Sequence, residues 1–243
     1  LLLDLGTGLR LLAEAYPAGD SRPFHAAALI THLHWDHVQG LPFFPHIHQP
    51  STHLDIYGPR QDEGPLHEVF DGLMRPPYFP VQFTQLRGTI EFHDVLDDDL
   101  SIGNAKVKVR QVPHVGTTVG YRIEWGGATV AYVSDHQAPL SLDRVADSVL
   151  ELCDGADLVI HDAQYTPEEF TKKPDWGHCT VDYALLVARE AGAHRLVLFH
   201  HDPSHSDDDM DAMVADAQAK AAAFGLNEVV GAYEGLTLTL GST

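Results

Sequence analysis

The run AALITHLHWDHVQG, residues 27–40, constrains the fold more than any other part of the chain. Residues 27–31 read as a short buried strand. Directly after them His32, His34, Asp36 and His37 fall within six positions. Neighbouring imidazoles repel once protonated, and each ring needs both a donor and an acceptor partner. A strand that ends in such a cluster is best explained by a turn that gathers the side chains around a cation. Imidazole with carboxylate suits Zn, Mn or Fe.

The same pattern recurs at three further strand ends. His114 follows the alternating run 105–112, Asp135 closes the run 129–135, and His200 closes the buried run 195–200. Other strands are expected at 53–58, 89–95, 118–125, 157–163, 229–233 and 236–240. Helices are expected at 64–74, before Pro76 and Pro77, at 142–156, at 180–192 with Thr180 as cap and Gly192 as stop, and at 206–225. Strands dominate early and alternate with helices later, which predicts a layered α/β sandwich. The 243 residues suffice for one large domain, taken as 1–243. The chain opens inside an apolar run without Met, so residues are expected to be missing from its start.

Composition narrows the partners. The net charge of −20 disfavours polyanions, so nucleic acid and anionic membranes are excluded as expected partners. No apolar run is long enough to span a bilayer. Cys153 and Cys179 form no CxxC pair, and a cytoplasmic setting is expected. Seventeen histidines, scattered along the chain, point to metal or proton chemistry. A homodimer is left open.

The segments THLHWDH, HVGTTVGYRI, YVSD and LFHHDP, with LLLDLGTGL at the start, resemble the metallo-β-lactamase fold superfamily in order and spacing. That resemblance implies a four-layer αββα sandwich with a dinuclear site on one edge. It implies that His32, His34 and His114 hold one divalent ion, that Asp36, His37 and His200 hold the other, and that Asp135 bridges them. Zn is the expected metal, with Mn or Fe as alternatives. His201 competes with His200, which lies better at the end of the apolar run.

Within the superfamily, true β-lactamases carry Cys where this chain has Asp135. Glyoxalase II is similar in ligands but adds a C-terminal helical domain, whereas this chain ends on strands. The motif DWGHCT, with Gly177, His178 and Thr180, resembles the phosphodiesterase branch. The resemblance thus implies hydrolysis of a small cyclic or nucleotide-like phosphodiester by a metal-bridging hydroxide. Asp36 would orient the water and His178 would be the general acid, with Asp175 or Asp36 as its carboxylate partner. Ribonuclease Z fits less well, because His114 and Asp135 are only 21 positions apart and leave no room for its substrate arm. A thioester or lactone hydrolase and a non-catalytic metal sensor are the other readings. Arg75 and Tyr78 in MRPPYFP are candidate substrate contacts. His46 and His48 read as a surface loop, His161 and Asp162 as supports behind the site, and HSDDD as a helix cap.

Overall fold

A computed structural model describes residues 1–17 and 23–241 of the chain. These divide into two compact units, Leu1–Leu96 and Asp97–Thr243. Each is built on its own sheet, giving a mixed α/β fold.

The first unit holds a parallel four-stranded sheet in the order β1 (Leu2–Leu3), β2 (Phe24–Leu29), β3 (Thr52–Gly58), β4 (Thr89–Asp94). Parallel strands need crossovers, and these carry α1 (Leu9–Ala15), α2 (Trp35–Val38) and α3 (Leu66–Asp71). β3 alternates cleanly: Thr52, Leu54, Ile56 and Gly58 are buried, and His53, Asp55 and Tyr57 face the other way half-buried. Leu54 and Ile56 join Ala28, Ile30, Leu66 and Phe70 in one apolar cluster. α3 is shorter than the expected 64–74. Its first amide, Leu66 N–H, donates to Asp94 Oδ1 at 2.8 Å, and Gly72 follows its last turn.

His46 does not belong to a surface loop. It is buried, its ring stacks on Phe24 with centroids 4.2 Å apart, and its Nε2–H donates to the Tyr16 carbonyl at 2.6 Å. The apolar neighbours Phe24 and Phe44 make this imidazole a packing residue. His48 is half-buried beside it.

The second unit holds a seven-stranded sheet. In chain order its strands are β5 (Asp99–Ile102), β6 (Ala105–Gln111), β7 (Val119–Trp125), β8 (Ala128–Val133), β9 (Leu158–Asp162), β10 (Arg195–Phe199) and β11 (Glu228–Gly231), which is also their spatial order. β5 to β8 pair antiparallel and β8 to β11 parallel. Consequently β6, β8, β9 and β10 all run the same way, and only β7 among the central strands runs back. Helices α4 (Asp147–Cys153), α6 (Val181–Glu190) and α7 (Asp207–Ala221) supply the apolar cover, with Leu152, Tyr183, Leu185, Leu196 and Leu198 fully or nearly fully buried; α5 (Pro167–Phe170) is a single turn. Thr180 caps α6 by accepting Tyr183 N–H at 3.1 Å. Ser206 and Asp209 form a reciprocal capping box on α7, as HSDDD suggests.

Residues 236–240 are not a strand. Leu236, Leu238 and Leu240 do alternate half-buried against exposed threonines, but the segment pairs with no ladder. Conversely β5 escapes sequence reading because acids crowd its start. It is pinned by Arg110, which bonds Asp99 at 3.0 Å and Glu151 at 2.9 Å. Among the described residues no helix is long and apolar enough to cross a membrane.

Candidate metal centre

Each unit builds a donor set at the C-terminal ends of its strands. In the first, β2 runs into buried Ile30 and Thr31, then into His32, and the chain turns into the single-turn helix α2. The rings of His34 and His37 lie 4.4 and 4.2 Å from that of His32, centroid to centroid. His32 and His37 are buried, and His34 and Asp36 are exposed.

The clasp on this turn is Asp4, which sequence reading left as part of a glycine-rich motif. Its Oδ1 accepts Thr31 N–H at 2.7 Å and its Oδ2 accepts His37 Nδ1–H at 2.8 Å. Asp4 sits at φ +55°, which aims its carboxylate back across the turn. Gly6 and Gly40 permit the close approach. A Cβ on Gly6 would meet the Asp36 carbonyl, and one on Gly40 would meet the Gly6 carbonyl, both far inside contact distance. The LDLGTG segment thus holds the histidine turn in place.

The proton positions decide whether this set fits a cation. With His37 Nδ1–H given to Asp4, Nε2 carries a lone pair, and it stands 3.2 Å from Asp36 Oδ2. An imidazole nitrogen and a carboxylate oxygen at that separation can share one cation. A divalent metal would fit there, with Asp4 as the outer carboxylate that fixes the ring.

In the second unit β6, β8 and β10 deliver His114, Asp135 and His200. Asp135 is buried, with Oδ2 at 3.9 Å from His114 Nε2 and 3.3 Å from His200 Nε2. His114 Nδ1–H donates to the Gly177 carbonyl at 2.7 Å, which again leaves Nε2 as a lone-pair donor. His200 lies at φ +56°, so consecutive histidines part company. His201 turns away and gives Nε2–H to the Ala232 carbonyl at 3.1 Å. The donor atoms of His114, Asp135 and His178 all lie within 4.8 Å of one another.

His178 is held by Asp162, not by Asp175 or Asp36. Its Nδ1–H donates to Asp162 Oδ2 at 2.8 Å, and its ring stacks on His200 at 4.9 Å and 17°. Asp162 is fully buried at the end of β9, and Oδ2 also accepts His136 N–H and Oδ1 accepts Gln164 N–H, both at 3.0 Å. Burial alone would raise the Asp162 pKa. The hydrogen bond and charge of His178, with His200 and the His136 amide, outweigh burial and hold it below the usual carboxylate range.

Behind Asp135 lies a buried imidazole pair. His161 Nδ1–H donates to the Asp162 carbonyl at 2.7 Å, so its Nε2 accepts, and His136 Nδ1–H is the donor to it at 3.0 Å. Burial, reinforced by His161, pushes the His136 pKa down to about 3, and burial lowers His161 as well. Both rings are therefore neutral supports. Burial likewise pushes the Cys153 thiol up to about 12 and Cys179 well above its ordinary value.

Arg75 and Tyr78 sit in an exposed turn of the first unit, closed by Tyr78 N–H to the Arg75 carbonyl at 2.9 Å. Among the described residues no recorded contact ties either side chain to the histidine turn.

A fold of this kind, with donor sets at strand ends, defines a class. The family model for the β-lactamase superfamily domain matches residues 1–201, running through both units. The chain belongs to that superfamily, and it is an enzyme, a metal-dependent hydrolase. It is 26% identical over 235 residues to a ribonuclease Z of Brevibacillus brevis, covering 79% of this chain and 73% of the relative. Among solved structures, the metallo-β-lactamase fold protein YhfI of Bacillus subtilis superposes with a TM-score of 0.69 at 22% identity, covering 96% of this chain and 84% of YhfI. A diphosphatase of the PhnP family superposes with a TM-score of 0.67 at 19% identity, covering 98% and 79%. The name ribonuclease Z on curated relatives pulls against the exclusion of nucleic acid drawn from net charge. An overall charge of −20 averages over the surface and does not describe one cleft.

Proposed function

We propose that the chain, taken as a single domain over residues 1–243, is a dinuclear-metal phosphodiesterase. By the superfamily resemblance His32, His34 and His114 would hold one ion and Asp36, His37 and His200 the other, with Asp135 shared, and Zn would best match the imidazole-rich set. The ions would supply Lewis acidity toward the phosphoryl oxygens and a water acidified for attack. Asp36 orients that water from its exposed position on α2.

The observation that carries the reading is the Asp162–His178 pair. A buried carboxylate holds Nδ1–H and fixes the ring, so that in the doubly protonated imidazolium Nε2–H is the proton that would pass to a departing oxygen. A thiolate leaves without such help, whereas an alkoxide needs it. A poised acid therefore favours a phosphodiester over a thioester. The PhnP-family diphosphatase and the ribonuclease Z relatives support phosphorus chemistry. The relatives' name also supports a second reading, with RNA as substrate. The short hairpin between His114 and Asp135 favours a small substrate instead.

The test is a substrate panel on Zn-reconstituted protein: bis(p-nitrophenyl) phosphate, an alkyl phosphodiester, a thioester and a tRNA precursor. Phosphodiester turnover is expected, and turnover of the thioester alone would overturn the proposal. Specific cleavage of the tRNA precursor by substoichiometric enzyme would select the second reading. His178→Ala should keep its metal and lose about 10²–10⁴-fold on the alkyl ester. It should lose far less on the aryl ester, whose leaving group needs no proton. Loss of metal in that variant would make His178 a ligand instead of an acid.

A further inference from the structure

The first unit carries a second imidazole–carboxylate cluster that the site above does not use. β3 sends Leu54 and Ile56 into the apolar core and turns His53, Asp55 and Tyr57 to the opposite face. β4 lies alongside in parallel register, pairing Asp55 with Glu91 and Tyr57 with His93. Two imidazoles and two carboxylates therefore share one patch. The patch runs along the face of β3 and β4 opposite the one that carries Leu54 and Ile56, from His53 near the start of β3 to His93 near the end of β4.

The Asp55 carboxylate sits between the imidazoles, with Oδ1 at 2.9 Å from His93 Nε2 and Oδ2 at 3.4 Å from His53 Nε2. The donor atoms of His53, Asp55 and Glu91 lie within 4.8 Å of one another. Two carboxylates held that close repel, and a cation placed among them and the imidazoles would relieve that repulsion. Stacking on Tyr57, at 4.4 Å and 18°, fixes the His93 ring ready for use. The side chains of His53, Asp55 and His93 are 39, 28 and 36% exposed, so water can complete a coordination sphere.

We propose that His53, Asp55, Glu91 and His93 bind one divalent transition-metal ion, at a site distinct from the catalytic donors. Mixed nitrogen and oxygen donors select a borderline ion such as Zn(II) over Mg(II) or Ca(II), which take oxygen. The bound ion clamps β4, the edge strand of its sheet, to β3 through their side chains.

Zn(II) bound per chain is measured by equilibrium dialysis for the wild type and for Asp55→Asn/His93→Phe, in which phenylalanine keeps the stack on Tyr57. The double variant should bind one equivalent fewer while phosphodiester turnover is unchanged. The difference does not depend on how many ions the catalytic site holds, nor on what it hydrolyses. Equal stoichiometry overturns the proposal. His53→Ala/Glu91→Gln should lose the same equivalent, and its retention would overturn this ligand set. In the wild type, imidazole Cε1–H resonances of His53 and His93 should shift on saturation with Zn(II), and unmoved resonances would refute binding without recourse to any variant.

Discussion

Gly177→Ala tests the architecture of the site at one atom. Gly177 lies at φ +96°, and a Cβ there would stand 2.5 Å from both Cε1 and Nδ1 of His114. Ordinary contact begins near 3.4 Å, so the imidazole must retreat by 0.9 Å. That motion breaks its hydrogen bond to the Gly177 carbonyl, now 2.7 Å, and swings Nε2 off its line to Asp135. The backbone strain costs about 1–3 kcal/mol. The hydrogen bond adds about 1 kcal/mol. Together they amount to about 2–4 kcal/mol, a fall in Tm of about 5–15 °C for a chain of this size. A misplacement near 1 Å costs about 10²-fold in turnover. Melting, Zn content and kcat/KM on bis(p-nitrophenyl) phosphate would be read together. Gly155→Ala is the control. It also has positive φ, +55°, but its Cβ meets nothing within 4 Å, so it should lose about 1 kcal/mol and no activity. Wild-type activity and metal content in Gly177→Ala would refute the role given to this contact.

Two further outcomes are expected. Asp4→Ala should leave Thr31 N–H and His37 Nδ1–H without their acceptor and weaken metal retention by about 10–100-fold, measured by competition with a chelator. Unchanged affinity would show that Asp4 only packs the turn. The neutral His136 makes stability depend on pH. Its folded pKa, pushed down to about 3, lies below the unfolded value of about 6.5, so the unfolded chain takes up the proton first. Its contribution is complete above about pH 6.5 and is lost as pH falls toward about 3, at up to about 1.4 kcal/mol per pH unit. Urea midpoints followed over that range should converge between wild type and His136→Phe at the acid end, and parallel curves would count against it.

Much of this was legible in the chain because the donors follow apolar runs. A strand announces itself through burial, and a histidine at its end stands out against it, as at His32, His114 and His200. What escaped was held by long-range pairing. Asp4 lies 27 positions before the Thr31 it clasps, and Asp162 lies 16 before His178, so neither partnership has a local signature. The nearer Asp175 is a reasonable guess from sequence and an incorrect one in space. His46 reads as polar loop because nothing local reveals that the distant Phe24 stacks on its ring. Residues 236–240 show that alternation describes which side of a segment is covered, not whether another strand accepts its amides.

The strand directions of the seven-stranded sheet divide its two rims. β6, β8, β9 and β10 end on the rim that carries His114, Asp135, Asp162 and His200, while β7 ends on the opposite rim in the Gly126–Gly127 turn. That turn is exposed and holds no donor. A tether or an inserted domain placed between Gly126 and Gly127 would anchor the enzyme to a support by its inert rim and leave the reactive one turned toward substrate.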